Sequence, residues 1–146
     1  MAGVSLIDRL TEQLRRDEGE VLHAYQDHLG YWTIGIGRLI DKRKGGGISK
    51  DEAVYLLAND ISKFTLALRA RLPFYNRLDE ARQGALANMA FQMGIEGLMG
   101  FKNTLAMIED GDYEGAAAGM LNSLWAKQTP ERAARIAEQV RTGEWQ

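Results

Sequence analysis

The chain has 146 residues, of which 45% are apolar and 26% are charged, and its net charge is −2. This length and composition predict one globular domain and exclude the disordered class. An acidic pI of about 5.7 argues against nucleic acid as the main partner, because nucleic-acid binding usually needs a basic surface. Cysteine is absent and the only histidines are His23 and His28, so we expect no disulfide, no thiol nucleophile and no metal site.

The N-terminal segment and the hydropathy pattern predict where the chain is made. Charged residues begin at Asp8, too early for the apolar stretch of a signal peptide. No apolar run approaches the roughly 18 residues of a membrane-spanning helix. We therefore expect synthesis in the cytoplasm and no insertion into a membrane.

Capping signals mark the first predicted helix. Ser5 and Asp8 have the spacing of an N-terminal capping pair, and leucine and isoleucine follow at helical intervals. Gly19 predicts the helix end, which leaves Glu18 in the last turn.

A segment of different composition follows this helix. Residues 22–39 are rich in tyrosine, tryptophan, threonine, isoleucine and glycine, and residues 28–30 interrupt them. This pattern predicts two short strands joined by a turn. The glycine-rich residues 42–47 predict a flexible loop.

Capping signals and helical spacing predict helices in the remainder of the chain. Ser49 and Glu52 form a capping box that opens a long helix ending at Pro73. Asp79 is predicted to cap the next helix, which ends at Gly94.

Shorter helices are predicted over residues 102–110 and 113–124, and a last helix runs from Thr129-Pro130 to Gly143. The fold class is therefore α+β and mainly α. We predict a small β-containing lobe over residues 1–50, a connecting helix over 51–72 and a helical lobe over 73–146.

Two carboxylates near the predicted strands suggest a catalytic site. A turning strand would bring Glu18 and Asp27 across a groove, as glycoside hydrolysis requires, and the Thr33 hydroxyl would help to hold a water molecule. With 20 acidic residues in the chain, spacing alone favours solvated surface carboxylates instead.

Seven motifs that occur in a fixed order favour the catalytic interpretation over solvated surface carboxylates. They are DEG (17–19), YQD (25–27), GYWTIGIG (30–37), ISKDEA (48–53), FQMG (91–94), GFKNTL (100–105) and WAKQTPERA (125–133). Together they resemble the T-even phage lysozymes, endolysins of glycoside hydrolase family twenty-four. The spacing of Glu18, Asp27 and Thr33 is similar to the catalytic signature of that family.

The resemblance implies a lysozyme-like fold and hydrolysis of the β-1,4 bond between N-acetylmuramic acid and N-acetylglucosamine in bacterial peptidoglycan. It implies that Glu18 is the general acid, that Asp27 and Thr33 position the attacking water, and that the anomeric centre is inverted. No cofactor is implied. The expected enzyme is a monomer that accumulates in the host cytoplasm. A separate holin is expected to release it to the periplasm, where it degrades the cell wall and lyses the host.

Further residues are assigned by the same resemblance. Leu39, Phe91 and Thr104 match positions that line the sugar groove, and Gln92 lies beside them. Helical spacing alone favours core positions for Phe91, Met93 and Trp125.

Arg132 matches an arginine that pairs with the catalytic glutamate. A salt link from Arg132 and Arg135 to Asp17 and Glu18 is an equally good interpretation. Where relatives commonly carry a histidine this chain has Arg38, and we predict an ion pair with Asp60.

Two other functions remain open. A lytic transglycosylase also uses a glutamate but forms an anhydro ring without water, and the presence of Asp27 and Thr33 argues against it. A non-catalytic wall-binding or structural module would have no need of the three residues together.

Overall fold

A computed structural model describes residues 3–45 and 47–146. The fold is α+β and mainly α, as predicted, and about 65% of the residues are helical. Backbone contacts divide the chain into two units, Met1–Tyr55 and Leu56–Gln146. The division falls within the predicted connecting helix, and the predicted boundaries at residues 50 and 72 stay predictions.

The first unit begins with helix α1, Leu6–Glu18. The Ser5 hydroxyl accepts a hydrogen bond from the Asp8 amide at 3.1 Å, and the Asp8 carboxylate accepts one from the Ser5 amide. Gly19 is the C-cap, and its amide donates to the Arg15 carbonyl. Both predicted ends are confirmed, because each depends on chemistry local to the sequence.

A three-stranded antiparallel sheet follows, in the order β1-β2-β3. The strands are β1, Val21–Gln26, β2, Trp32–Gly35, and β3, Arg38–Leu39. The two predicted strands are confirmed, and the third was not predicted because two residues carry no periodicity. Thr33 lies opposite Tyr25 on one side and Leu39 on the other.

Helix α2, Lys50–Arg71, begins at the predicted capping box. The Ser49 hydroxyl accepts from the Glu52 amide at 3.1 Å, and the Glu52 carboxylate accepts from the Ser49 amide at 3.2 Å. The helix ends two residues before Pro73, in agreement with the prediction. The predicted loop 42–47 contains Gly46, which lies outside the described residues, and residues 42–45 form turns and bends.

The second unit is helical. After a 3-10 turn at Tyr75–Arg77, its helices are α3, Glu80–Met99, α4, Lys102–Glu109, α5, Tyr113–Leu121, α6, Leu124–Gln128, and α7, Pro130–Thr142. Asp79 caps α3 by accepting from the Arg82 amide at 3.0 Å. The helix predicted to end at Gly94 is interrupted there, because this residue has φ 80°, a left-handed value. Helical structure then resumes and α3 continues to Met99, which was not predicted.

One predicted helix is wrong in its extent. The helix expected over residues 113–124 ends at Leu121, and a new helix begins at Leu124. Ser123 caps the new helix by accepting from the Ala126 amide at 3.2 Å. The apolar pattern runs through both helices, so it does not reveal the boundary between them.

The second unit holds the apolar core. Its largest fully buried side chains are Leu68, Tyr75, Leu86, Met89, Leu98, Ile108, Met120 and Val140. In the first unit, Thr33 is the one buried side chain among the described residues. None of the helices in the described ranges is long and apolar enough to cross a membrane.

Candidate active site

Glu18 is the last residue of α1, and its side chain is exposed. It lies against Gly37 in the turn between β2 and β3. A Cβ built on Gly37 would be 2.8 Å from both Cγ and Oε2 of Glu18. The absence of a side chain at Gly37 therefore leaves room for the glutamate against the sheet.

Asp27 follows β1 and is held by the backbone of the next four residues. Its Oδ1 accepts hydrogen bonds from the amides of Leu29 and Tyr31, both at 2.9 Å. These bonds, chiefly the one from Tyr31, lower the pKa of Asp27 below its ordinary value of 3.8. The nearby charge of His28 acts in the same direction. Asp27 is therefore held as a carboxylate.

The main-chain groups of Tyr31 connect Asp27 with Thr33. The Tyr31 amide donates to the Asp27 carboxylate, and the Tyr31 carbonyl accepts from the Asp27 amide at 2.8 Å. The same carbonyl accepts from the Thr33 hydroxyl at 3.2 Å. One peptide segment thus fixes both residues relative to each other.

Thr33 lies in β2 and is only 5% exposed. Its hydroxyl proton is directed to Tyr31, which leaves the oxygen able to accept a further hydrogen bond. Leu39, the partner of Thr33 on β3, is 44% exposed, so its side chain is accessible to a ligand.

Arg38 forms an ion pair within the first unit. Its guanidinium lies 2.7 Å from the carboxylate of Glu52, which the capping box holds at the start of α2. The predicted pair of Arg38 with Asp60 would join the two units and stays a prediction. Asp17 lies 3.3 Å from its neighbour Arg16, and both are exposed.

Phe91, in the second unit, is partly open to solvent. It is 45% exposed and its ring lies 5.6 Å from that of Phe64. The interpretation of Phe91 as a core residue is therefore wrong, because helical spacing identifies an apolar face but not how far the core extends. Trp125, by contrast, is 8% exposed and packs in the core as predicted, and Met93 packs against the core while partly buried.

Gln92 is exposed on α3, and its carbonyl oxygen accepts a hydrogen bond from the Trp125 indole at 2.9 Å. Thr104 is only 6% exposed, and a Cβ built on Gly119 would lie 3.1 Å from its hydroxyl oxygen. Gln92 is therefore accessible to a ligand, whereas Thr104 is mostly covered.

Arg132 on α7 is bonded within the second unit. Its Nε and one terminal nitrogen donate to Asn88 Oδ1 at 3.0 and 2.7 Å. Both residues line a groove of about 300 Å³ that also includes Phe91 and Trp145. Pairing of Arg132 or Arg135 with Asp17 or Glu18 would join the two units and stays a prediction.

Two residues with a part in this geometry were not singled out from the sequence. Gly37 makes room for Glu18, and Tyr31 connects Asp27 with Thr33. Both lie within the motif GYWTIGIG, which indicated that the segment matters but not what these two residues do.

Comparison with known proteins supports one family. The family model described as phage lysozyme matches residues 15–140. A probable T4-type lysozyme of Dictyostelium discoideum is 32% identical, covering 94% of this chain and 96% of its own length.

Two phage proteins extend the comparison. The endolysin of Salmonella phage P22 is 30% identical, covering 79% of each chain. The pre-baseplate central spike protein Gp5 of Enterobacteria phage T4 is 35% identical over 92% of this chain, which corresponds to 28% of Gp5.

The first unit carries an exposed glutamate at a helix end and an ionised aspartate directly after a strand, and glycoside hydrolases use two carboxyl groups in these two protonation roles. The chain belongs to the phage lysozyme family, and it is a lysozyme, an enzyme that hydrolyses peptidoglycan.

Proposed function

We propose that the chain is an inverting N-acetylmuramidase that cleaves the β-1,4 bond between N-acetylmuramic acid and N-acetylglucosamine. The observation that carries the proposal is the arrangement of Asp27 and Thr33 around the main chain of Tyr31. This arrangement keeps the Asp27 carboxylate ionised and fixes the Thr33 hydroxyl through the same residue, which supports the use of the two groups to activate and orient a water molecule.

Glu18 is the general acid of the proposed reaction. It gives its proton to the glycosidic oxygen while Asp27, as general base, removes a proton from a water molecule that Thr33 helps to orient. The water attacks from the opposite face of the sugar, so the configuration at the anomeric carbon is inverted. Inversion requires carboxyl groups roughly 6.5–9.5 Å apart, wide enough for that water.

The substrate contacts of the proposal are Leu39, Phe91, Gln92 and Thr104. Leu39, Phe91 and Gln92 are accessible to solvent, which supports their role, whereas the low exposure of Thr104 makes it the weakest of the four. Asp17 and Arg132 are supporting residues in this proposal.

Host lysis is the proposed biological role. The enzyme accumulates as a monomer in the host cytoplasm and passes to the periplasm through pores formed by a separate holin. Similarity to phage endolysins supports this role. The similarity to Gp5, a spike protein, makes cell-wall hydrolysis by a virion component the alternative role.

The decisive experiment identifies the product formed from purified peptidoglycan sacculi. We expect reducing muropeptides by mass spectrometry, and the α-anomer as the first product in proton NMR spectra recorded during digestion. Products lighter by one water molecule would instead identify a lytic transglycosylase. A first product with the β-configuration would rule out the inverting mechanism, and no release of products would indicate a non-catalytic module.

A further inference from the structure

The segment that follows β3 is held against the sheet. The Ile40 amide donates to the Trp32 carbonyl at 2.8 Å, which continues the pairing of β3 with β2 by one residue. The Asp41 carboxylate then accepts hydrogen bonds from the Arg43 amide at 2.8 Å and from the Arg43 guanidinium at 2.7 Å. Because these bonds fix the course of the chain up to Arg43, the next side chain leaves from a defined position.

That next side chain, Lys44, lies on the ring of Tyr31. Its Nζ is 5.8 Å from the ring centroid, within the range of a cation–π interaction. A Cβ built on Gly30 would lie 4.0 Å from Lys44 Cδ, an ordinary van der Waals distance, so the aliphatic part of the lysine passes along the turn. The backbone of Tyr31 connects Asp27 with Thr33. The ammonium group is therefore held on the residue that connects the proposed water-activating pair.

The charge of Lys44 is available to a ligand. The neighbouring Arg43 is neutralised by Asp41 at 2.7 Å. By contrast, no carboxylate in the described part of the chain lies within 4.0 Å of the Lys44 ammonium. The lysine side chain is exposed, and an ammonium group offers three donors and no acceptor. Lys44 is thus an oriented cation that suits an anionic group of the substrate.

Peptidoglycan carries its carboxylates on the peptide stems. Its acetamido sugars are uncharged, and the lactyl carboxyl group of N-acetylmuramic acid is consumed in the bond to the stem. The stem therefore begins on one of the two sugars that the scissile bond joins. A cation beside the proposed water-activating pair is well placed to meet a group of that stem.

We propose that Lys44 is a specificity-determining residue that binds a carboxylate of the peptide stem, and that the Tyr31 ring positions it. The inference rests on the proposed function, since it names a group of the same substrate. A lysine that rests on a ring has fewer orientations to lose on binding than a lysine surrounded by solvent, which favours the contact.

Three variants test the charge on sacculi of a Gram-negative bacterium, which contain no teichoic acid. Lys44→Gln removes the charge, and we expect it to raise the apparent KM about 3- to 10-fold, the effect of one lost charged hydrogen bond. Lys44→Arg keeps the charge and should retain the parental KM. Lys50→Gln, the same change at another exposed lysine of the first unit, is the matched control and should also retain it.

The value of kcat separates this binding role from a part in the chemistry. The contact is present both before and during the reaction, so kcat should change little in Lys44→Gln. Backbone amides and the charge of His28 lower the pKa of Asp27, so the acidic limb of the pH profile should also stay unchanged. A shifted limb would assign Lys44 to the electrostatics of Asp27 and overturn the binding role.

Blocking the carboxylates of the substrate tests the identity of the ligand. Sacculi acetylated on their amino groups are compared with the same sacculi after a carbodiimide and methylamine have converted the carboxylates to methylamides. We expect the parent and Lys44→Gln to have equal KM values on the methylamide substrate, because the recognised charge is gone. A difference that persists would overturn carboxylate recognition. If neither protein cleaves this substrate, co-sedimentation with it gives the same comparison.

A double-mutant cycle tests the positioning role of the ring. Tyr31→Leu removes the ring and keeps the backbone groups that hold Asp27 and Thr33, so we expect it to raise KM in the parent. In the Lys44→Gln background it should have no further effect on KM. The same factor in both backgrounds would overturn positioning. If Tyr31→Leu proves unfolded, an upfield ring-current shift of the Lys44 Hε resonances in the parent replaces the cycle, and unshifted resonances would count against positioning.

The outcomes separate this inference from the proposed function. A parental KM for Lys44→Gln on acetylated sacculi would overturn the inference, as would an equal rise in KM for Lys50→Gln, which would indicate a general effect of charge. Failure of the parent to release reducing ends from unmodified sacculi would overturn the proposed function itself.

Discussion

The two units differ in what holds their residues in place. In the second unit, apolar side chains from all of its helices fill one core, and Leu68, Met89 and Val140 are completely buried. In the described part of the first unit, Thr33 alone is buried, and capping boxes, strand pairing and backbone hydrogen bonds fix the structure. The proposed catalytic groups lie in the unit that depends least on apolar packing.

This difference separates the determinants of chemistry from those of stability. A carboxylate that handles protons must meet solvent and substrate, so it cannot be secured by burial without a large change in its protonation. Backbone amides around Asp27 and a glycine beside Glu18 secure these groups without covering them. We therefore expect substitutions of the catalytic groups in the first unit to change activity, and substitutions of the buried core residues in the second unit to change stability.

The largest effect is expected for Glu18→Gln. Loss of the general acid should lower the rate of peptidoglycan cleavage about 10²- to 10⁴-fold. The thermal midpoint should be unchanged, because the side chain is exposed. Turbidity loss of a sacculus suspension and circular dichroism measure the two quantities.

Glu12→Gln is the matched control for this prediction, since Glu12 is exposed on the same helix and should be dispensable for the reaction. A folded Glu18→Gln variant with the parental rate would remove Glu18 from the mechanism.

Met89→Ala should lower stability rather than the rate of peptidoglycan cleavage. Met89 is fully buried in the core of the second unit, so the substitution leaves a cavity and should lower the free energy of unfolding by about 2–5 kcal/mol. Urea unfolding measures the loss. Leu66→Ala, at a side chain that is 68% exposed, should stay within about 0.5 kcal/mol of the parent. Equal losses for both variants would contradict the assignment of the core.

Gly37→Ala tests the contact between the β2–β3 turn and the general acid. The residue has φ 63°, and an added Cβ would meet Glu18 at 2.8 Å, so the glutamate must move. A displacement of about 1 Å is enough to lower the rate roughly 10²-fold. The rate on sacculi checks this expectation.

In the control Gly45→Ala, no heavy atom of the described residues other than Gly45 and its chain neighbours lies within 4 Å of the new Cβ, so its rate should be close to that of the parent. If Gly37→Ala were as active as Gly45→Ala, the position of Glu18 would not depend on the turn.

The smallest effect concerns the titration of the carboxylates of the first unit. Hydrogen bonds hold the pKa of Asp27 below 3.8, and the Arg43 guanidinium lowers the pKa of Asp41 to about 2. Because both values are lowered on folding, each ionised group stabilises the folded chain above pH 3.8, and this contribution is lost as the pH falls through the folded pKa. Carboxyl carbon NMR shifts give both midpoints.

Arg43→Gln provides the comparison for this titration. It should raise the midpoint of Asp41 and leave that of Asp27 unchanged, since Asp27 is held by backbone amides. A midpoint of Asp27 at or above 3.8 would contradict the role of those amides.

The sequence predicts a helix start well where a capping signal stands alone. It predicts less well a boundary inside an apolar pattern and the burial of a residue. Ser5, Ser49 and Asp79 cap helices as expected, because a cap depends only on residues three positions away. The extra boundary at Ser123 was missed, since its capping signal lies within a continuous apolar pattern. The exposure of Phe91 was missed because spacing does not define the edge of a core.

At the candidate site, resemblance indicated residues but not their contacts. Glu18, Asp27 and Thr33 are marked by their spacing, whereas the ion pair of Arg38 with Glu52, 14 positions away, depends on the distance between a strand and a helix. The bond from Trp125 to Gln92 joins residues 33 positions apart, and no local pattern predicts such a pair.

The linkage of Asp27 and Thr33 through Tyr31 has a consequence for mutagenesis. The donor is the backbone N–H of Tyr31 and the acceptor is its backbone carbonyl. Every amino acid has both groups except proline, which lacks the N–H. Tyr31→Ala would leave both backbone groups in place, so an alanine scan would score position 31 as unimportant for this linkage. An amide-to-ester exchange at the bond that precedes residue 31, introduced by chemical synthesis, would delete the donor to Asp27 and reveal its contribution.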